Sequence, residues 1–147
     1  MDPMIVKDTI EIAAPAQTVW RVLTDPEQTR KYMFGCAAVT DWKVGSRLDW
    51  AATVDGKEVV YVKGVVVAVE RERLLSYTTI GVGEAYEDVP ENYLTVTCRL
   101  AAVDGKTRLE ITQGDFASVA DGKKRYDETV GSWHSVLEQM KGLAESL

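Results

Sequence analysis

Few residues in this chain could start a reaction. His134 is the only histidine, so no histidine-based metal cluster can form, and any Ser-His-Asp system must use this residue. On a helix its surface neighbours are Thr129, Val130, Glu138 and Lys141. Glu138 is in contact range, but Ser132 and Ser135 point to other sides, so His134 reads as a partly exposed helix residue without a nucleophile. Cys36 and Cys98 are far apart in sequence, with no CxxC or His-Cys spacing around either. Neither has a neighbouring base or cationic run to lower its pKa, so both read as reduced, buried thiols. The segment "GVGEAYEDVPENY" at Gly81 to Tyr93 collects Glu84, Glu87, Asp88 and Glu91. Its spacing matches no calcium loop and no phosphate-binding glycines flank it, which predicts a mobile acidic loop. No catalytic residue, metal or cofactor is expected, and a binding role is read ahead of an enzymic one.

Composition narrows the partners. A chain of 147 residues fits one domain, 1–147, with one core. Its 17 Lys plus Arg face 23 Asp plus Glu, for a net charge of -6, which argues against nucleic acid. The densest basic run, Lys123, Lys124 and Arg125, lies beside Asp121, Asp127 and Glu128 and reads as a solvated turn. The N-terminus lacks a basic stretch followed by an apolar run. The longest apolar window, "VVYVKGVVVAV", is interrupted by Lys63 and Gly64, so stable membrane insertion is not expected. The location expected from these features is cytoplasmic.

The elements that would position a site follow from period and punctuation. Met4 to Ala13 alternates loosely and predicts a first strand. Then "PAQTVWRVLTD" places Val19, Trp20 and Leu23 at helical spacing. Asp25, Pro26 and Gln28 form a second helix start, with Asp25 as N-cap and Gln28 as its capping-box partner. Strands follow: Ala37 to Trp42, Arg47 to Val54, Glu58 to Val69, Leu74 to Ile80, Tyr93 to Val103 and Thr107 to Gln113. Two Asp-Gly pairs, in "VDGKE" and "VDGKT", predict tight type I′ hairpins. One face of the sheet is apolar, through Leu48, Trp50, Ala52 and Val54, then Leu94, Val96, Cys98 and Leu100, then Leu109 and Ile111. The other carries Asp49, Thr53, Thr95, Thr97, Arg99, Arg108, Glu110 and Thr112, with Arg99 and Glu110 placed to pair. The closing stretch sets Tyr126, Val130, Trp133, Leu137, Met140, Ala144 and Leu147 along one stripe. It predicts a single helix of roughly twenty-four residues, about 36 Å long, covering the apolar face. The predicted fold is α+β, a seven-stranded antiparallel curved sheet wrapped around a long C-terminal helix, with two short helices between strands 1 and 2.

This order resembles the helix-grip fold of the START-like, or SRPBCC, superfamily. Within it, "APAQTVWRVLTDPEQ", "WKVGSRL", "ERERLLSYTT", "GKTRLEITQGDF" and "GSWHSVLEQMKGL" are similar to the family named for activators of the ninety-kilodalton heat-shock-protein ATPase. The resemblance covers most of the chain and is to stand-alone, single-domain members. It implies a cavity between sheet and long helix that holds a hydrophobic small molecule.

The residues expected to face that cavity are Trp50, Tyr77, Val96, Cys98, Ile111, Trp133 and Leu137. Taken singly, each of them is read as ordinary core packing ahead of ligand contact, and the set carries the cavity reading more than its members do. Tyr32, Met33 and Phe34, beside Gly35, form either the cavity mouth or a plug that seals the core. Three functions stay open: binding of an apolar or amphipathic small molecule, a co-chaperone-like module that binds a chaperone or a second copy of itself, and an enzyme that orients an apolar substrate, as in cyclase-like or hydrolase-like chemistry.

Overall fold

The structure is a computed structural model that describes residues 2–147. Seven strands form one antiparallel sheet: β1 (Val6–Ile12), β2 (Ala37–Val39), β3 (Arg47–Val54), β4 (Lys57–Glu70), β5 (Leu74–Gly81), β6 (Leu94–Val103) and β7 (Lys106–Gly114). Their order across the sheet is β1-β7-β6-β5-β4-β3-β2, so the first two strands occupy opposite edges. Helices α1 (Ala16–Thr24) and α2 (Pro26–Tyr32) carry the chain from one edge to the other.

Local chemistry explains the joints. Asp55 and Gly56, like Asp104 and Gly105, all have positive φ, as a type I′ turn requires at both central positions. Asp25 caps α2 by accepting from the Glu27 amide at 2.9 Å, and Pro26 takes the first helical position. Gln28 does not complete the predicted capping box: it is buried, and its Oε1 has no hydrogen-bond partner. The strand predicted from Ala37 to Trp42 ends at Val39, and Trp42 adopts positive φ. Register irregularities at Trp50/Ala51 and between Val66 and Ala68 curve the middle of the sheet.

The inward row of β6 and β7 is Leu94, Val96, Cys98 and Leu100 with Leu109 and Ile111, all buried. On the outer face Arg99 stands opposite Glu110 in register, yet Glu110 pairs with Lys7 of the neighbouring edge strand at 3.6 Å.

The long C-terminal helix is bent. It runs as α3 (Gly122–Thr129) and α4 (Ser132–Ser146), separated by Gly131 at φ 86°. The stripe therefore fails at two predicted positions, because Val130 and Leu147 are exposed. Segment α4 packs on β1, α1 and α2 through Trp133, Val136, Leu137, Met140 and Ala144. Segment α3 turns aside to the short 3-10 turn Phe116–Ser118, where Tyr126 meets Phe116 edge-on at 5.6 Å. The basic run is thus helical, and Arg125 is buried, stacked over the Tyr86 ring at 4.1 Å.

Candidate functional site: an apolar groove under the helix bend

Fifteen residues of α4 span about 22 Å, less than the single helix predicted from the stripe. The inner face near β3, β4 and β5 is left without helical cover, and a groove of about 610 Å³ opens there. Trp50 and Ala52 of β3, Val62 of β4, Tyr77 and Thr79 of β5, and Val96 of β6 form its floor. Trp133, in the first turn of α4, bounds one side, and Met33, Phe34 and Cys36 line another. None of the described side chains lining it belongs to Asp, Glu, Lys, Arg or His.

The aromatic residues set its shape. Trp50 and Tyr77 lie with centroids 5.8 Å apart and planes tilted by 50°, a favourable geometry for two quadrupoles. Trp133 donates its indole N–H to Gln113 Oε1 at 2.8 Å, which fixes the ring against β7. Burial holds the Tyr77 hydroxyl well above the ordinary tyrosine range, with Cys98 adding to the effect. It stays protonated and neutral at physiological pH.

Of the residues expected on the wall, Trp50, Tyr77, Val96 and Trp133 line the groove. Cys98, Ile111 and Leu137 do not; all three sit in the packed core beside it. Burial pushes the Cys98 thiol up to about 12 and raises the Cys36 thiol as well, so both are protonated, unpaired thiols near neutral pH. The trio at the expected mouth divides. Tyr32 is core, its hydroxyl donating to the Val22 carbonyl at 2.9 Å, whereas Met33 and Phe34 line the groove. Phe34 is 86% exposed with φ 56°, so it stands at the rim and seals nothing. Sequence reasoning passed over Cys36, Ala52, Val54, Tyr61, Val62, Thr79 and Gln113. For Gln113 a signal existed: it continues the inward alternation of Leu109 and Ile111 as a polar residue.

Elsewhere, His134 is exposed between Asp8 and Glu138, each 3.4 Å from one ring nitrogen. The acidic segment is tied down. Asp88 pairs with Lys63 and accepts from the Tyr93 hydroxyl at 2.6 Å. Asn92 donates to the Glu87 carbonyl and accepts from the Ala120 amide. Among the described residues no group of three or more His, Cys, Asp or Glu converges as for a metal ion. No described helix is long and apolar enough to cross a membrane. A hollow of about 670 Å³ between α1 and the end of β4 is lined by Arg21, Arg71 and Glu72 as well as Trp20 and Trp42. It lies outside the sheet–helix interior, and its charged rim suits water.

Comparison with known proteins agrees with the architecture. No curated protein matches the chain. A Cytophaga hutchinsonii protein solved in solution is similar at 31% identity and TM-score 0.75, with 99% of this chain and 97% of that chain covered. A Mesorhizobium loti crystal structure is similar at 25% identity and TM-score 0.75, covering 97% of both chains. A Plasmodium falciparum protein described as an HSP90 activator shares the fold at 19% identity and TM-score 0.61, over 76% of this chain and 73% of that one. The profile of the family described as "Activator of Hsp90 ATPase homolog 1-like protein" matches residues 13–145. With the helix-grip sheet and its bent terminal helix in place, this chain belongs to that family.

Proposed function

We propose that the groove binds an apolar or amphipathic small molecule, without a covalent step. The observation that carries this reading is an open volume of about 610 Å³ with aromatic and aliphatic walls and no lining charge. Protein interiors normally pack to near-crystalline density, and the volume falls in the range of small-molecule pockets, about 300–1,000 Å³. The two buried, unpaired cysteines support a reducing, cytoplasmic setting.

Native mass spectrometry of protein purified from its own cells without detergent tests the reading, followed by denaturing extraction of anything carried along. The expected result is a stoichiometric adduct that disappears in Ala52→Trp, which fills the groove floor. Absence of any adduct, together with failure of a solvatochromic lipid probe to bind, would overturn it.

A second reading, a co-chaperone-like interaction surface, is supported by the family's description and by the exposed apolar pair Val65 and Val67 on β4. Stimulation of a purified Hsp90 ATPase that is lost in Val65→Lys, with the groove substitution Ala52→Trp silent, would favour it.

A further inference from the structure

The hollow between α1 and the end of β4 shares no lining residue with the groove, and its chemistry is different. Its volume of about 670 Å³ falls in the range of small-molecule pockets. Trp20 of α1, Trp42 from the segment between β2 and β3, and Val69 of β4 give it an apolar surface, while Arg21, Arg71 and Glu72 give it charge. Both indoles stay partly exposed. Trp42 is held there in an unusual conformation: its φ is 59°, in the left-handed region that bulky residues rarely enter. Its indole N–H donates to the Thr24 carbonyl, 18 residues earlier, at 2.9 Å, which leaves the ring itself as its binding surface. Strained conformations of this kind gather at ligand sites. The charges are unequally engaged. Arg21 reaches Asp25 at 3.6 Å, whereas Arg71, exposed in the turn between β4 and β5, has no ion-pair partner among the described residues. Two guanidiniums against one carboxylate make the lining net positive, on a chain whose own net charge is -6.

We propose that this hollow is a second binding site, for a small aromatic carboxylate, with the ligand's ring set against Trp20 and Trp42 and its carboxylate on Arg71. A guanidinium receives a carboxylate through two parallel N–H donors, and indoles offer a ring both contact area and a complementary quadrupole. The acidic chain as a whole repels a polyanion, so a single negative charge fits this site better than a run of phosphates. Water covers the charged rim in the free protein, but it gains little from the indole faces, and burying them against a ring supplies the driving force.

The chain's four tryptophans are Trp20, Trp42, Trp50 and Trp133. The first two line this hollow and the other two the groove. Indole N–H signals in a nitrogen–proton correlation spectrum of the whole protein therefore report on each site separately, once each is assigned by substitution to Phe. The test titrates the protein with three probes of one ring skeleton: naphthoate, naphthalenemethanol and naphthylmethylammonium. Naphthoate is expected to shift the Trp20 and Trp42 signals saturably, and to bind at least about fivefold more tightly there than the alcohol or the ammonium. Arg71→Gln, a change in an exposed turn, should remove that preference while the alcohol's affinity holds. Ala52→Trp, which fills the groove, should leave the Trp20 and Trp42 responses as they were. Unmoved Trp20 and Trp42 signals, equal affinities for the three probes, or tightest binding of the ammonium would overturn the inference. A naphthoate preference that survives in folded Arg71→Gln overturns it too. So do responses confined to Trp50 and Trp133, or lost in Ala52→Trp, which would place the probe in the groove.

Discussion

The same substitution, glycine to alanine, should have opposite signs at two positions of this fold. Gly64 lies on β4 opposite Leu48 of β3, between the Lys63–Ile80 and Val66–Tyr77 pairs with β5. A Cβ there would have the carbonyl carbon and oxygen of Thr78 inside 3.0 Å, with Thr78 Oγ1 at 3.0 Å as well. The first two are backbone atoms of a paired strand and cannot swing aside, so β4 and β5 must part. Overpacking of this kind costs about 1–3 kcal/mol. The Val65 amide also donates to Thr78 Oγ1 at 3.0 Å, and weakening that bond adds about 1 kcal/mol. Gly64→Ala should therefore lose about 2–4 kcal/mol, and at about 2–4 °C per kcal/mol for a chain of this size its Tm should fall by about 4–16 °C. Gly142, inside α4, has nothing within 4 Å of its added Cβ and no positive φ. There alanine removes only unfolded-state freedom and should gain about 0.5–1 kcal/mol. Differential scanning calorimetry of the two variants against the parent measures both. A Gly64→Ala melting point within a degree of the parent would refute the close strand approach, and a Gly142→Ala loss would refute the open helix face.

Other expectations follow from the same contacts. Leu137→Ala, in the fully buried centre of α4, should cost about 3–5 kcal/mol in urea unfolding; because Leu137 does not line the groove, binding of the solvatochromic lipid probe should be unchanged in the folded fraction. Asp115 accepts from the amides of Met4 and Ala117, both at 2.9 Å, and these bonds hold its carboxyl below the usual aspartate range. A depressed folded pKa means stability that is full above the unfolded value and lost as pH falls through the folded one. Asp115→Asn should therefore flatten the fall in Tm below about pH 4, and an unchanged acid limb would rule this linkage out.

Much of this was legible because it is local. Asp-Gly dictates two positive φ values, so both hairpins and the registers they fix could be read directly, and the strand ends fall within a residue or two except at β2. Alternation identified the inward face from Leu48 through Ile111. It could not say which part of that face the helix covers, since coverage depends on where the helix bends. The stripe from Tyr126 to Leu147 keeps helical spacing straight through Gly131, and periodicity weighs apolar residues while ignoring a glycine that leaves the helical region. That one residue explains why Leu137, Cys98 and Ile111 are core and why Ala52, Val62 and Thr79 are groove. Arg125 was misread for a related reason: its charge suggested solvent, whereas its guanidinium lies on a ring supplied by a distant loop.

The placement of β1 at one edge, paired only with β7, has a consequence in time. The tie from the Thr107 hydroxyl to the Ala14 carbonyl spans 93 residues, and that from the Met4 amide to Asp115 spans 111. Loop-closure entropy delays contacts of such separation until the intervening hairpins have shortened the effective distance. On the ribosome, the first strand of this fold must wait for all five intervening strands to be made before its partner exists. Until then Val6, Ile10 and Ile12 remain an unpaired apolar edge, and the growing chain depends on late synthesis to cover it.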